Sequence, residues 1–150
     1  MVINKFDGEY AFLSNFHPSC PIRDEYGISY PSVEHYFQAM KTLDKYQRIN
    51  IAIQPTPGKA KYLGRRVNLR EDWEQIKEQV MYDALIQKFS DPIMKKKLLV
   101  TGDATLIEGT TWHDNYWGNC SCDKCKDIIA KNMLGNILMR LRSELREGQL

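Results

Sequence analysis

Three short stretches hold residue types that do chemistry. The first is Ser32–Lys41, SVEHYFQAMK, in which Glu34, Gln38 and Lys41 are spaced i, i+4, i+7. On a helix that spacing puts a carboxylate, an amide and an ammonium on one face. A carboxylate fixed there can take a proton from water or stabilise a developing cation. The same spacing also serves a plain surface. Glu34 in the first turn complements the helix dipole, and Glu34 with Gln38 makes an ordinary exposed pair. His35 falls between the faces as a half-buried polar side chain.

The second stretch is Trp112–Asn119, WHDNYWGN, with two Trp, a Tyr, a His and an Asp. Aromatic faces stack on nucleobases, and an Asp positions a ribose hydroxyl or a water. Tryptophans that simply anchor a loop into the core fit equally well. The third is Cys120-x-Cys122-x2-Cys125. Three thiols so close can hold one zinc ion, leaving a fourth position for Cys20, His113 or water. Free thiols are the other reading. No glycine-rich phosphate loop, Ser-His-Asp order or H-E-x-x-H pattern is present.

The elements that must carry these groups can be read from period and punctuation. Residues 20–30 suggest a hairpin, Cys20–Arg23 and Ile28–Tyr30 around the turn Asp24–Gly27, after a start made of short extended pieces. Ser32 is a good N-cap for a helix to about Leu43, with Val33, Phe37 and Met40 on its apolar face. A second helix covers Lys45 to Ile53. Thr56, Pro57 and Gly64 mark the cap, first residue and end of a third. A long helix spans about Glu71 to Phe89, with Trp73, Ile76, Val80, Ala84 and Phe89 as its apolar stripe. Asp91-Pro92 opens another, ending near Thr101-Gly102, and Ala104–Glu108 reads as a short strand. Residues 109–131 read as irregular. A last amphipathic helix runs from about Asn132 to Arg146 on Leu134, Ile137, Leu138, Leu141 and Leu145. The expected fold is α+β and mainly helical, a single compact domain over 1–150 with its core at about 6–146. Its least regular stretches, 6–31 and 109–131, are where a site is expected.

Bulk composition narrows the class. With 43% hydrophobic residues in 150, the chain can bury a core of one domain. Lys and Arg number 21 against 19 Asp and Glu, so the chain is no strongly cationic nucleic-acid binder. Its tight basic runs are Arg65-Arg66 and Lys95–Lys97, the latter read as a solvated helix face. No apolar run approaches the ~18 residues that span a bilayer. Lys5, Asp7 and Glu9 break any secretory core at the start. The expectation is a soluble, cytoplasmic protein with reduced thiols.

Several landmarks together resemble the NADAR, or YbiA-like, family. They are Phe12–Phe16, Ser32–Lys41, Lys59-Ala60 with Leu63–Arg65, Arg70-x-Asp72-Trp73, Met81, Lys88-Phe89, Asp114-x-Tyr116-Trp117-Gly118 and Asn132-x-Leu134-Gly135-x3-Met139. The resemblance runs from about Phe6 to Leu145. It implies a compact, mainly helical α+β fold and cleavage of N-glycosidic bonds to ribose. One branch hydrolyses phosphoribosyl aminopyrimidine intermediates of riboflavin biosynthesis; another removes ADP-ribose from guanine bases. The family's catalytic positions carry over onto Glu34, Trp73, Asp114 and Trp117. Asn15, Gln38, Lys41 and Arg65 are pocket-lining by the same resemblance. Between Gly118 and Asn132 the chain departs from the YbiA branch, carrying the Cys120–Cys125 loop in place of a shorter glycine-rich segment.

The expected reaction needs no catalytic metal or redox cofactor, and any zinc is structural, held by Cys120, Cys122 and Cys125. Glu34 is the expected charge stabiliser and base, Asp114 the holder of ribose hydroxyls or of the water. Trp73 and Trp117 wall the base, and Lys41 and Arg65 pair with phosphate. The expected partner is a small ribotide or an ADP-ribosylated nucleic acid, without a membrane or sequence-specific DNA binding. Two rivals stand beside this enzyme: a non-catalytic ADP-ribose-binding module and a zinc-stabilised interaction domain.

Overall fold

A computed structural model describes residues 1–150. In chain order the elements are β1 (Val2–Ile3), β2 (Pro18–Arg23), β3 (Ser29–Ser32), α1 (Val33–Ala39), α2 (Lys45–Ala52), α3 (Pro57–Gly64), α4 (Trp73–Lys88), α5 (Pro92–Val100), β4 (Thr105–Leu106), β5 (Gly109–Thr110), β6 (Asn119–Cys120) and α6 (Met133–Arg146). Two 3-10 turns cover Gly8–Leu13 and Asp123–Cys125. The fold is α+β and mainly helical, with a few short strands, as its sequence suggests. The residues group into two compact units: a central one, Asn15–Asp91, and a terminal one that joins Met1–Ser14 to Pro92–Leu150.

In the central unit β2 and β3 form the expected antiparallel hairpin, with Ile22 opposite Tyr30 and Arg23 opposite Ser29. Asp24 builds its turn. Oδ1 accepts from the backbone N–H groups of Tyr26 and Ile28, both at 2.9 Å. Oδ2 accepts from the Tyr30 hydroxyl at 2.7 Å and from Nη1 of the fully buried Arg48 at 3.2 Å. Burial and the Asp24 bond push the Tyr30 phenol far above its ordinary range.

α1 follows β3 directly. Ser32 caps it as expected, its Oγ accepting from the His35 N–H at 3.1 Å. The helix stops at Ala39, short of the expected Leu43. The Lys41 carbonyl accepts from the Arg70 N–H at 2.8 Å and the Thr42 carbonyl from Arg48 Nε at 2.7 Å. Those bonds draw the chain out of the helical path, so Lys41 lies in the turn beyond α1. All seven residues of α1 are buried. The helix has no solvent face, because β2, β3, α2, α3 and α4 pack around it.

α3 begins as the Thr56 and Pro57 signals predict, with Thr56 Oγ1 accepting from the Lys59 N–H at 3.2 Å. Gly64 differs from its expected role as terminator: it is the last helical residue, in contact with α1. In α4 the buried residues are Trp73, Met81, Tyr82, Ala84, Leu85 and Lys88, whereas Ile76 and Val80 are half-buried. Trp73, Ala84 and Phe89 of the expected stripe are therefore core, and between Trp73 and Ala84 the core face runs through Met81 and Tyr82 in place of Ile76 and Val80.

In the terminal unit β1 pairs parallel to β4 and β5 parallel to β6. α6 packs on β4 and against α5. Its buried face is Leu134, Ile137, Leu138, Leu141 and Leu145, as the heptad-like spacing predicts. Gly135 permits close approach, since a Cβ there would lie 2.1 Å from the Leu106 carbonyl oxygen. Lys95–Lys97 is a largely exposed face of α5, as expected. Two expectations change. Gly8–Leu13 is a 3-10 turn that buries Phe12 and Leu13, not an extended piece. Residues 109–131 are not wholly irregular, since they hold β5, β6 and a 3-10 turn. No helix is long and apolar enough to cross a membrane.

Candidate active site

Glu34 sits in the first turn of α1 and is 7% exposed; Gln38, one turn on, is 4% exposed. This removes the reading of the two as an exposed surface pair. The Gln38 amide donates from Nε2 to Glu34 Oε1 at 2.8 Å, which fixes the direction of the carboxylate. Gln38 is held in turn by Gly64, where a Cβ would lie 2.0 Å from Gln38 Oε1. Only glycine fits against that amide. The Glu34 N–H, one of the unpaired donors of a helix start, is taken by the Asn15 carbonyl at 3.1 Å. The Asn15 side chain donates to Met81 Sδ at 3.5 Å. Two acceptors next to Glu34, Asn15 Oδ1 and Gln38 Oε1, are buried and take no donor from the protein. A buried unsatisfied acceptor costs roughly 1–3 kcal/mol, so each such atom calls for a partner.

The other central residues take different places. Lys41 lies over the Phe37 ring, its Nζ 5.9 Å from the centroid. Burial lowers its ammonium pKa from the ordinary lysine value; the Glu34 charge works against that, and the Arg65 and Lys61 charges add to it. Lys41 and Arg65 therefore share an electrostatic neighbourhood with Glu34. Arg65 is exposed at the end of α3. Trp73 is 5% exposed and packs on Phe37 with ring centroids 5.0 Å apart, so most of its indole is core. His35, which its place between the faces makes a half-buried side chain, is instead fully buried, with Nδ1 2.7 Å from Ser32 Oγ and Nε2 3.0 Å from the Gln54 carbonyl oxygen. The carbonyl can only accept, so Nε2 carries the proton and Nδ1 accepts from the Ser32 hydroxyl. Burial lowers the His35 pKa, in keeping with a neutral ring.

In the terminal unit Asp114 and Trp117 lie on the loop from β5 to β6. Asp114 Oδ1 accepts from the N–H groups of Tyr116 at 3.1 Å and Trp117 at 2.9 Å, a local turn that sets the indole's position. The Trp117 ring meets Tyr116 edge-on at 5.0 Å. The carbonyls of Asn115, Tyr116 and Trp117 accept from Lys131, Met133 and Leu134 at the start of α6. Beside this turn His113 Nδ1, Cys120 Sγ, Cys122 Sγ and Cys125 Sγ lie within 4.8 Å of one another, a group that can hold a metal ion. Of the fourth donors open to the sequence, the structure selects His113. The Cys20 thiol instead donates to the Gln87 carbonyl at 3.5 Å.

Residues 3–146 match the NADAR domain family. The chain belongs to this family. It is 41% identical over 140 residues to N-glycosidase YbiA of Escherichia coli strain K12, covering 91% of this chain and 82% of that one. It is 36% identical over 152 residues to the chloroplastic riboflavin biosynthesis protein PYRR of Zea mays, covering 91% of this chain and 23% of that one. The NMR structure of E. coli YbiA superposes with a TM-score of 0.79 at 38% identity, over 99% of this chain and 87% of that chain. The NADAR match thus reaches into both units and takes in every candidate site residue.

Proposed function

We propose that this NADAR protein is a hydrolase of N-glycosyl bonds, acting on a phosphoribosyl or ADP-ribosyl substrate. The observation that carries the reading is Glu34: a buried carboxylate aimed by the Gln38 amide from a helix without a solvent face. A side chain held this way keeps one direction, as a catalytic group must. The names of the relatives, N-glycosidase and riboflavin biosynthesis protein, support the reaction class.

Cleavage of an N-ribosyl bond builds positive charge on the anomeric carbon and ring oxygen. The Glu34 carboxylate stabilises that charge and takes the proton of the attacking water. The base leaves with its electron pair and is protonated, and the water oxygen ends on the anomeric carbon. Asn15 Oδ1, which lacks a donor within the protein, accepts from an N–H or O–H group of the bound ribotide. Lys41 and Arg65 pair with its phosphate. Trp73 borders the pocket with what its burial leaves uncovered. Asp114 is assigned to ribose hydroxyls or the water and Trp117 to the face of the base; these two roles rest on the family resemblance. In this reading the catalytic step uses no metal or redox cofactor, a zinc in the cysteine loop is structural, and the protein works in the cytoplasm.

The test offers purified protein an aminopyrimidine ribotide and, separately, an oligonucleotide bearing ADP-ribosyl-guanine. Release of free base from either supports the reading and names the branch. Tight binding of ADP-ribose with no base released from either substrate would replace it with a binding module.

A further inference from the structure

We propose that His113 Nδ1 and the sulfurs of Cys120, Cys122 and Cys125 are the four ligands of a closed, structural zinc site that clamps the segment bearing Asp114 and Trp117. Only the catalytic purpose of the clamp rests on the N-glycosidase reading; the site itself does not.

Two of the ligand pairs already stand at about tetrahedral spacing, and all four donors lie within 4.8 Å of one another. With Zn–S near 2.3 Å and Zn–N near 2.0–2.1 Å, a tetrahedral N···S edge is roughly 3.6 Å. His113 Nδ1 lies 3.3 Å from Cys122 Sγ and 3.4 Å from Cys125 Sγ. Four protein donors leave no position for water, which is the pattern of structural rather than catalytic zinc. Binding releases the three thiol protons to solvent, and the three thiolates with neutral His113 leave the centre at one negative charge. The backbone supplies part of the answer to that charge, since the His113 N–H donates to Cys120 Sγ at 3.3 Å.

A second observation comes from the backbone. His113 has φ +67, one of two non-glycine residues in the chain with positive φ. Such a conformation persists where surrounding structure over-determines it. Turning His113 this way brings its Nδ1 to the sulfurs and its N–H to Cys120 at once. The ligands also bracket the chemistry. His113 precedes Asp114 directly, and Cys120 follows Trp117 by three residues. Cys120 is in turn fixed in β6, its N–H donating to Asn115 Oδ1 at 2.9 Å. A metal joining 113 to 120, 122 and 125 closes the base of the loop whose tip carries the Asp114 turn.

The experiment uses the full chain without an affinity tag, produced in zinc-supplemented medium and purified under reducing conditions. Expected are about one zinc per chain by mass spectrometry and, after exchange, the visible absorption of tetrahedral cobalt bound by thiolate. Cys122→Ser, at the half-exposed ligand, and His113→Ala are each expected to weaken zinc binding by more than about tenfold in chelator competition. Chelation is expected to change the emission of Trp112 and Trp117 and to open the 112–126 segment to protease, both reversed by zinc. Wild-type metal content decides the question even where a variant misfolds. Zinc near zero without a cobalt spectrum overturns the site, as does oxidation of two of the sulfurs to a disulfide in the freshly isolated protein. Zinc that binds but whose removal changes neither emission nor proteolysis overturns the clamp. These readouts need no substrate. Inactivity of a zinc-loaded protein would sink the glycosidase reading and not the site, and full activity after zinc removal would sink only the clamp's catalytic purpose.

Discussion

Glu34 in the central unit and Asp114 in the terminal unit are both carboxylates proposed for the site, yet they are held by opposite means. Glu34 is aimed by packing: its helix is covered on every side, its oxygen is bonded by a side chain one turn away, and a glycine supports that side chain. Asp114 is aimed by its own turn: Oδ1 is spent on the N–H groups of Tyr116 and Trp117, between strands only two residues long. A group aimed by packing tolerates loss of its charge without loss of its place. A group that builds its own turn is tied into structure whatever chemistry it is proposed for, and only a substitution that keeps the acceptor separates the two.

That contrast sets what each substitution does. Glu34→Gln keeps the shape and is expected to lower kcat by about 10²–10⁴ with an unchanged melting temperature; a correctly folded variant with the wild-type rate of base release would remove Glu34 from its role. Asp114→Asn retains Oδ1 and should fold normally while losing about 10²-fold in rate, whereas Asp114→Ala should also melt earlier, by the cost of two lost turn bonds. Gly64→Ala forces a methyl group onto the Gln38 amide and is expected to cost about 1–3 kcal/mol in urea unfolding; a neutral result would show that Gln38 is free to move and does not aim Glu34. Gln38→Leu fills the same space without the amide, and about tenfold in kcat is the expected loss, the worth of one buried hydrogen bond.

The smallest effect is a pH dependence of the central unit's frame. Burial holds the folded pKa of His35 below its unfolded value of 6.5. The unfolded chain therefore binds more protons as pH drops below that value, and stability is lost as pH falls toward the folded pKa. The slope is at most ~1.4 kcal/mol per pH unit. The dependence is about half its maximum at pH 6.5 and fades out within roughly one to two pH units above it. Urea unfolding of wild type and His35→Asn at several pH values isolates the slope, which the variant should lack.

What could be read from sequence follows from which forces are local. The Ser32 cap, the Asp24 hairpin turn, the Thr56-Pro57 start and the leucine stripe of α6 depend on neighbours in the chain, and each is found where its residues put it. The end of α1 is not local, because Arg48 and Arg70 hold the Thr42 and Lys41 carbonyls in the turn beyond it. Nor is the burial of Glu34 and Gln38, whose spacing reads as a surface until α2, α3 and α4 cover it. Gly64 looks like a helix terminator by residue type, yet its small size is needed by an amide in another helix. The cysteine triplet reads as a metal motif, but which further donor lies beside it depends on the left-handed backbone of His113, which spacing alone does not reveal.

The parallel pairing of β1 with β4 sets Val2 beside Thr105. A ribosome releases Val2 first and Thr105 only after about a hundred further residues. The central unit is one continuous stretch and can close while synthesis continues; the terminal unit cannot. Its first strand must wait, with an unpaired edge, through the making of the whole central unit. Closing so long a loop adds little to equilibrium cost, since that cost grows only with the logarithm of length, but it slows the search. The half of the molecule that carries Asp114 and the cysteines thus depends on a pairing across about a hundred residues, which the continuous central unit does not need.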